Sequence, residues 1–258
     1  MSTPRIYYPG EMDIGHPVEL GENHIRYIRN VLRLRKGDSL ILFSGKGVEY
    51  GAVVRAVTKD AVTADIIDKK NIRDDGIRIT LAQALPKGPK MDFIIQKAAE
   101  LGVSRIIPFD SSRSIPKFTA DKARSRTARW QKIALEACRQ CRRGDIPEVT
   151  EIHSFHEVLE MPGKDDLKLI FWEEESGMGI KDVLRNNAAQ NTGDFFAIIG
   201  PEGGFSKDEV EAALRQGCLS VSLGRRVLKV ETASIAILAI LQYERGSLAG
   251  KVESKRAV

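Results

Sequence analysis

The segment FFAIIGPEGGFSKDEV (195–210) decides the fold, because it joins a buried strand to a capped helix through a glycine-rich loop. The apolar run FFAIIG at its start predicts a strand that is covered on both faces. Ser206 and Glu209 have the spacing of a capping box, and Gly217 follows where a helix would end, so we predict a helix over 206–216. A strand, a loop and a helix in this order are typical of parallel α/β sheets.

The loop GPEGG (200–204) indicates a ligand site. Glycines permit a tight turn and a close approach of backbone to a ligand, and ligands of parallel sheets bind outside the carboxyl ends of strands. The loop lacks the GxxxxGK[ST] and GxGxxG spacings of nucleotide-binding loops. Because the carboxylate of Glu202 would repel a phosphate, a neutral or cationic ligand fits better. The alternative is a strand-to-helix turn that binds no ligand.

A second glycine-bearing turn lies in SLGRRVLKVETASIAIL (222–238), where a strand end, Gly224 and an irregular stretch precede a helix. We predict this helix over 231–248, capped by Glu231 or Thr232. The helix is apolar nearly all round, so it must be buried on several sides. This indicates core packing plus a subunit interface, and core packing alone is the alternative.

The rest of the second part of the chain has the same alternating pattern. We predict strands over 77–85, 103–109, 167–172 and 219–224, and helices over 91–101 and 120–143. Strands that alternate with helices imply an α/β fold, with a parallel sheet and helices on both of its faces.

The first part of the chain is rich in short β-branched runs. We predict strands over 40–43, 49–57 and 61–68, with a hairpin turn at Gly45 and Gly47 and a helix over 22–34 before them. Several short strands with one helix indicate a small barrel. The polar stretch NIRDDG (71–76) carries no apolar periodicity, so we place a boundary there, between domains 1–72 and 76–258.

Composition excludes several protein classes. The chain has 258 residues, 42% of them hydrophobic and 29% charged, which excludes collagen-like, mucin-like and disordered proteins. Three cysteines do not make a disulfide framework and indicate a reducing compartment. The start, MSTPRIYYPG, lacks the apolar core of a signal peptide, and the longest apolar stretch (232–243) is shorter than the roughly 20 residues of a bilayer span. We therefore expect a cytoplasmic protein with no membrane partner.

Positive charge is concentrated in the middle of the chain. The formal net charge is +5, but residues 76–150 alone carry +8, against +1 before them and −4 after them. Such a zone is a plausible footprint for nucleic acid, and a solvated charged face is the alternative. Ten basic residues lie between Arg113 and Arg143. The predicted nucleic-acid contacts are Arg26, Arg29, Arg33, Arg35 and Lys36, with Lys87 and Lys90 at a strand-to-helix junction that would attract anions.

Other signals for chemistry are weak. Cys138-x-x-Cys141 lacks a second ligand pair, and no carboxylate–histidine constellation surrounds His153 and His156, so we predict no metal site. The nucleophile elbow GxSxG and the zinc motif HExxH are absent from the sequence.

Four ordered segments and the N-terminal helix match one known family. They are NHIRYIRNVLRLRKGD (23–38), KGPKMDFIIQKAAELGVSRIIPF (87–109), RWQKIALEACRQ (129–140), IGPEGGFSKDE (199–209) and LGRRVLKVETA (223–233). In this order they resemble the RsmE-type methyltransferases of the SPOUT superfamily, which methylate N3 of a uridine in the 16S rRNA of the small ribosomal subunit. The resemblance spans most of residues 22–240.

The resemblance implies a PUA-like barrel followed by a SPOUT α/β domain with a C-terminal trefoil knot. It also implies S-adenosyl-L-methionine bound in the knot, with no metal, and a homodimer joined through the final helix. The sulfonium of this cofactor agrees with the cationic ligand predicted for the glycine loop. The implied cofactor-binding residues are Phe171, Trp172, Glu173, Gly200, Pro201, Glu202, Gly203, Gly204, Leu223, Gly224, Leu228, Thr232 and Ala233. We expect Gly203→Val to block this site.

The chain departs from the family at CRQCRRG (138–144), where the family usually has Glu-Gln-Ser-Gly-Arg, and at Arg225 and Lys229, where proline and arginine are common. Arg113 matches the family within SSRS (111–114). Methyl transfer to uracil N3 requires alignment and loss of a proton, and a cation beside O2 or O4 would stabilise the developing charge. Arg113 is the predicted catalytic residue for that role, and phosphate binding or a surface ion pair are the alternatives.

Two other functions remain open on the sequence. The first is a SPOUT methyltransferase that acts on another RNA, such as tRNA. The second is an RNA-binding assembly factor without catalysis, which the intact GPEGG and ETA (231–233) segments disfavour.

Overall fold

The chain forms two compact units. The computed structural model describes residues 3–72, 76–115, 117–185, 194–246 and 248. The first unit comprises residues up to 74 together with Cys138–Ile146, and the second comprises residues 75–137 and those from 147 onward. The sequence-derived boundaries placed residues 138–146 in the second domain, whereas the structure packs them into the first unit.

A five-stranded sheet in the order β1-β3-β4-β5-β2 forms the first unit. Its strands are β1 (Arg5–Tyr7), β2 (Pro17–Leu20), β3 (Ser39–Phe43), β4 (Val48–Val57) and β5 (Val62–Asn71). The predicted turn joins β3 to β4, and Gly45 and Gly47 have φ of 75° and 81°, a region that other residues avoid. Sequence analysis missed β1 and β2 because three or four residues are too few to show a period of two.

The helix predicted over 22–34 is divided in the structure. It consists of α1 (Glu22–Arg26) and a π-helical segment (Tyr27–Leu32), and Arg33 follows in the left-handed conformation at φ 54°. Hydrogen bonds of the i→i+5 type widen the turn, so the 3.6-residue spacing used for the prediction is lost. Val31, which we expected on the buried face, is therefore 65% exposed, whereas Ile28 is fully buried.

The second unit is built on a parallel sheet in the order β12-β10-β11-β6-β7-β8, and β9 also pairs with β7. The strands are β6 (Arg78–Ala84), β7 (Arg105–Asp110), β8 (Glu148–Val149), β9 (His153–Ser154), β10 (Leu167–Phe171), β11 (Asp194–Ile199) and β12 (Leu219–Val221). Every described strand pair of this sheet is parallel, which confirms the predicted α/β fold.

Helices cover both faces of this sheet, as predicted. They are α2 (Lys90–Glu100), α3 (Ala120–Cys141), α4 (Phe155–Glu160), α5 (Ile180–Arg185), α6 (Lys207–Arg215) and α7 (Val230–Arg245). One face, with Ala82 and Ile198, packs against α4 and α6. On the other face, Ser234 of α7 donates to the buried amide oxygen of Gln83 at 2.6 Å, and α2 packs against α7.

The two helices that follow the glycine-bearing turns begin differently. Helix α6 has the predicted capping box, because Ser206 accepts from the backbone N–H of Glu209 and the Glu209 carboxylate accepts from that of Ser206. Helix α7 begins one residue earlier than predicted, and its N-cap is Lys229, without a side-chain bond. The predicted caps Glu231 and Thr232 are therefore wrong and lie in the first turn. Part of the predicted end, at residue 247, falls outside the described residues. Of the described helices, none has the length and apolarity to span a bilayer.

The three cysteines are free thiols in different environments. Burial raises the pKa of Cys138 to about 12 and that of Cys218 to about 11, so both stay protonated near neutral pH. Cys141 is exposed. No cluster of three or more His, Cys, Asp or Glu side chains in the described part of the chain has a metal-binding arrangement.

We expect iodoacetamide at pH 8 to alkylate Cys141 in the folded protein at least about tenfold faster than Cys138 or Cys218, because the thiolate is the reacting species. Peptide mass spectrometry over a time course would measure the three rates. In denaturant all three should react alike. Fast native alkylation of Cys138 would contradict its buried placement.

Candidate active site

A cavity of about 860 Å³ lies in the second unit at the carboxyl ends of β10, β11 and β12. These strands are neighbours in the parallel sheet, so the segments that follow them meet at one edge. The cavity is lined by Trp172 and Glu173 after β10, by the glycine loop after β11, and by residues 222–230 after β12. Its volume lies within the range of small-molecule sites.

Most residues predicted to bind the cofactor line this cavity. They are Phe171, Trp172, Glu173, Gly200, Pro201, Glu202, Gly204, Leu223, Gly224, Leu228 and Ala233. Gly203 and Thr232 are not part of the lining. Gly203 packs against Arg113, since a Cβ added to it would lie 3.3 Å from the Arg113 Cβ. Thr232 is exposed in the first turn of α7.

Sequence analysis missed one wall of the cavity. This wall contains Glu175, Met178 and Asp182, from the turn after β10 and the start of α5. Two carboxylates here add to those of Glu173 and Glu202. The lining also holds four basic side chains, those of Lys90, Arg225, Arg226 and Lys229, so its charges suit a ligand that carries both positive and negative groups. The signal that could have found this wall is the Ser-Gly-Met-Gly sequence at 176–179, which lies just beyond a buried strand.

A buried aromatic ring anchors the glycine loop. Phe205 is 1% exposed, and its ring centroid lies 6.5 Å from that of Phe109 and 5.7 Å from that of Phe155. A Cβ added to Gly200 would lie 3.1 Å from the Phe205 ring. Glycine at this position therefore lets the strand end pack closely onto its own anchor.

Gly204 is the tightest position of the loop. Its N–H donates to the carbonyl of Pro201 at 2.9 Å, and its φ is 67°. A Cβ added here would overlap the carboxylate of Glu173. The absence of a side chain at Gly204 thus allows the Glu173 carboxylate to lie against the loop.

An ion-pair cluster holds the other side of the loop. The Lys90 ammonium lies 2.6 Å from the Glu202 carboxylate and 3.7 Å from that of Glu231, and the Lys87 N–H donates to Glu202 at 3.2 Å. Burial alone would raise the pKa of Glu202, but the bonds from Lys90 and Lys87 outweigh burial and lower it. The same hydrogen bond to Glu202 raises the pKa of Lys90. Lys90 therefore anchors the loop, and its pairing does not favour a contact with RNA.

Trp172 carries a buried polar atom at the cavity. Its indole Nε1 has no hydrogen-bond partner among the described residues, and Trp172 lines the cavity. Because buried donors are almost always paired, this unpaired N–H indicates that a ligand or water completes the site.

Arg113 contacts the glycine loop but is not among the residues that line the cavity. It is exposed, and its Nη1 donates to the carbonyl of Gly203 at 2.8 Å. The turn that carries Arg113 follows β7, two strands from β11 in the sheet. The structure thus brings the predicted catalytic arginine to the glycine loop but not into the cavity.

The other predicted nucleic-acid contacts are exposed. Arg26, Arg29, Arg33, Arg35 and Lys36 lie on the surface of the first unit, and Lys87 on that of the second. Arg29 donates to the carbonyl of Lys59 at 3.3 Å. Within the first unit, the guanidinium of Arg139 lies 5.1 Å above the ring of Tyr27, next to this basic cluster in sequence.

Two family models match the chain. The RNA methyltransferase domain matches residues 73–242, and the RNA methyltransferase PUA domain matches residues 20–67. The first match alone covers more than half of the chain. The two matched regions meet close to the boundary predicted at 71–76.

Named relatives and solved structures agree with these matches. Ribosomal RNA small subunit methyltransferase E of Bacillus subtilis (strain 168) is 34% identical over 229 residues, which cover 88% of this chain and 90% of the relative. The crystal structure of a ribosomal RNA small subunit methyltransferase E from Neisseria gonorrhoeae bound to S-adenosyl methionine matches with a TM-score of 0.84 and 34% identity, covering 93% of this chain and 97% of that one. A structure from Legionella pneumophila with bound cofactor SAM matches with a TM-score of 0.83 and 36% identity, covering 94% and 98%. The chain therefore belongs to the ribosomal RNA small subunit methyltransferase E family.

Proposed function

We propose that this protein transfers the methyl group of S-adenosylmethionine to N3 of a uridine in the 16S rRNA of the small ribosomal subunit. The observation that carries the proposal is the cavity at the carboxyl ends of β10, β11 and β12 in a chain of this family. The names of the relatives favour ribosomal RNA over tRNA as substrate.

The residues present fit S-adenosylmethionine. The cavity is large enough. Its lining holds four carboxylates and four basic side chains, which suits a ligand that carries a sulfonium and an ammonium as well as a carboxylate. The Trp172 Nε1–H has no partner among the described residues and can donate a hydrogen bond to this ligand. When bound, this cofactor supplies an electrophilic methyl group. The protein's residues would hold it through the loop after β11 and the turns after β10 and β12.

Arg113 is proposed to face the RNA base. Uracil N3 carries a proton and becomes a good nucleophile only when the proton leaves, so negative charge develops on O2 and O4. An exposed guanidinium beside the glycine loop can stabilise that charge. The base must be unpaired before N3 is accessible, and alignment with the methyl donor supplies much of the rate.

The exposed basic cluster of the first unit, Arg26, Arg29, Arg33, Arg35 and Lys36, is proposed to bind RNA phosphates together with Lys87. We expect the double variant Arg33→Glu/Arg35→Glu to weaken binding to 16S rRNA by at least about tenfold at 100 mM salt, with a shallower salt dependence. Filter binding would measure the RNA affinity, and calorimetry should show an unchanged cofactor affinity. A matched control is Lys164→Glu/Arg215→Glu, which reverses two exposed charges of the second unit. Equal RNA affinities for both variants would mean that the cluster is only a solvated face.

Helix α7 is proposed to join a second copy of the chain. A partly exposed stripe on it combines Thr232, Ile235, Ala236, Ala239 and Ile240 with Tyr243, which is 66% exposed. Homodimer interfaces are more apolar than the rest of a protein surface, and this stripe carries no charged side chain. Cytoplasmic location follows from the proposed substrate.

Mass spectrometry tests the proposed function. 16S rRNA from a strain that lacks the gene is incubated with the protein and methyl-labelled cofactor, digested to nucleosides and compared with authentic 3-methyluridine. The proposal predicts label in 3-methyluridine of 16S rRNA. Label only in tRNA would favour the other substrate class, and no label together with no cofactor binding would favour a non-catalytic assembly factor.

A further inference from the structure

Glu209 is a buried carboxylate with more partners than a helix cap requires. It is 8% exposed. The backbone N–H and the hydroxyl of Ser206 donate to Oε2 at 2.9 and 3.2 Å, which completes the capping box. The backbone N–H and the hydroxyl of Ser112 also donate, to Oε1 and Oε2, both at 2.8 Å. The contacts with Ser112 reach 97 residues along the chain and serve no capping purpose.

These bonds connect two turns at the same edge of the sheet, which follow strands that lie two positions apart. Ser206 ends the glycine loop after β11, and Ser112 lies in the turn after β7. This second turn is closed within itself, because the N–H of Ser114 donates to the carbonyl of Ser111 at 3.0 Å. Ser111 and Ser114 are 2% and 6% exposed, so both ends of the turn are buried. Among the described residues, the hydrogen bonds from this turn to the start of α6 go to the Glu209 carboxylate.

Arg113 is at the tip of this turn, directly after Ser112. Its backbone and Cβ pack against Gly203, and its guanidinium donates to the Gly203 carbonyl. Both partners, the turn and the glycine loop, are fastened to Glu209. The position of the guanidinium relative to the loop is therefore set by the Ser112–Glu209–Ser206 bridge.

The bridge requires an ionised carboxylate. All four donors point at acceptor oxygens, and a protonated or amide side chain would place a donor against one of them. Burial alone would raise the pKa of Glu209, but the hydrogen bonds from Ser112 and Ser206 outweigh it and lower the pKa. The carboxylate is thus charged at neutral pH.

We propose that Glu209 is a positioning residue that holds the Ser111–Ser114 turn against the glycine loop and so places Arg113 for the methyl transfer. The inference rests on the proposed function in assigning Arg113 a part in the reaction. It assigns to Glu209 an effect on the rate that acts through Arg113, beyond its role as a helix cap.

The test compares Glu209→Gln, Arg113→Ala and the double variant in the full-length chain, with Glu211→Gln as control. Glu211 is on the same helix but is 66% exposed and pairs only loosely with Arg215, at 3.8 Å. We expect Glu209→Gln to lower kcat for methylation of 16S rRNA by about 10- to 100-fold, the loss typical of a small misplacement, with the cofactor Kd changed by less than about threefold. In the Arg113→Ala background the same substitution should cost less than about threefold, because residues that act as a unit are not additive. The inference would be overturned if Glu209→Gln lowered kcat as much in the Arg113→Ala variant as in the wild type. It would also be overturned if Arg113→Ala alone were as active as the wild type.

Hydrogen exchange provides a readout that needs no activity. In Glu209→Gln, the peptide that contains Ser112 and Arg113 should exchange at least about tenfold faster than in the wild type, whereas Glu211→Gln should leave it unchanged. Unaltered exchange in Glu209→Gln would overturn the inference. If the wild-type chain methylates no RNA, the proposed function fails on its own, while the exchange data still decide whether Glu209 holds the turn.

Discussion

A Gly204→Val variant is expected to bind S-adenosylmethionine at least about 100-fold more weakly than the wild type, a loss of about 2.8 kcal/mol. Gly204 has φ 67°, which a β-branched residue adopts only with strain. Its new Cβ would also overlap the carboxylate of Glu173, so this side chain would have to leave its place in the cavity lining. Gly204 and Glu173 both line the cavity, so the strained loop and the displaced carboxylate change its shape.

Gly217→Val is the control for backbone strain, because it places valine at another glycine with positive φ that does not line the cavity. Gly217 has φ 79°, and no atom lies within 4 Å of an added Cβ. We expect this variant to be destabilised in thermal unfolding but to bind the cofactor normally. Calorimetry would measure both affinities, and the smaller substitution Gly204→Ala should lie between the wild type and Gly204→Val. A Gly204→Val protein that binds within threefold of the wild type would mean that this loop does not form the cofactor site.

The second large effect concerns stability. We expect Arg5→Ala to lower the unfolding free energy of the first unit by about 3 kcal/mol, because it removes one partner of a buried ion pair. The Arg5 side chain is 7% exposed, and its Nε lies 2.5 Å from the Glu49 carboxylate. Its other nitrogens donate to the carbonyls of Cys138 and Arg143 at 3.0 and 2.6 Å, and it stacks 3.8 Å above the Phe43 ring. One side chain thus joins β1, β3, β4 and the 138–146 segment.

Arg55→Ala is the matched control within the same unit. Arg55 pairs with Asp65 at 3.3 Å, but the two side chains are 57% and 38% exposed. An exposed pair contributes little, so the loss should stay below about 0.5 kcal/mol. Hydrogen exchange of the β3–β4 hairpin amides reports the opening free energy of the unit. Similar values for the two variants would contradict the role assigned to Arg5.

Strong periodic segments and caps could be predicted from the sequence. The run FFAIIG and the Ser206–Glu209 box correspond to β11 and α6 because burial and capping act locally. The π-helical segment could not be predicted, since its hydrogen-bond pattern depends on tertiary packing while the apolar spacing reads as an ordinary helix. The placement of Cys138–Ile146 in the first unit depends on Arg5, which is more than 130 residues away in sequence. The trefoil knot and the homodimer remain predictions from the resemblance.

At the candidate site, too, local features could be predicted from the sequence and contacts between distant residues could not. Glycines after buried strands identified the loop after β11 and the turn after β12. Glycine permits backbone conformations that other residues avoid, so its position in the sequence indicates where such a turn can form. The ion pairs and hydrogen bonds between distant side chains could not be predicted from the sequence. Lys90 was predicted to attract anions and instead pairs with Glu202 and Glu231, and Glu209, noticed only as a cap, also binds Ser112. Such contacts depend on which loops and turns the sheet topology brings together at one edge.

A crystal structure of the protein grown with millimolar S-adenosylmethionine is the most direct measurement. The proposed function predicts the cofactor in the cavity bounded by Phe171–Glu173, Gly200–Gly204 and Leu223–Leu228, with an acceptor atom within hydrogen-bond distance of the Trp172 Nε1. A cofactor bound elsewhere, or crystals that contain none at that concentration, would contradict the central claim.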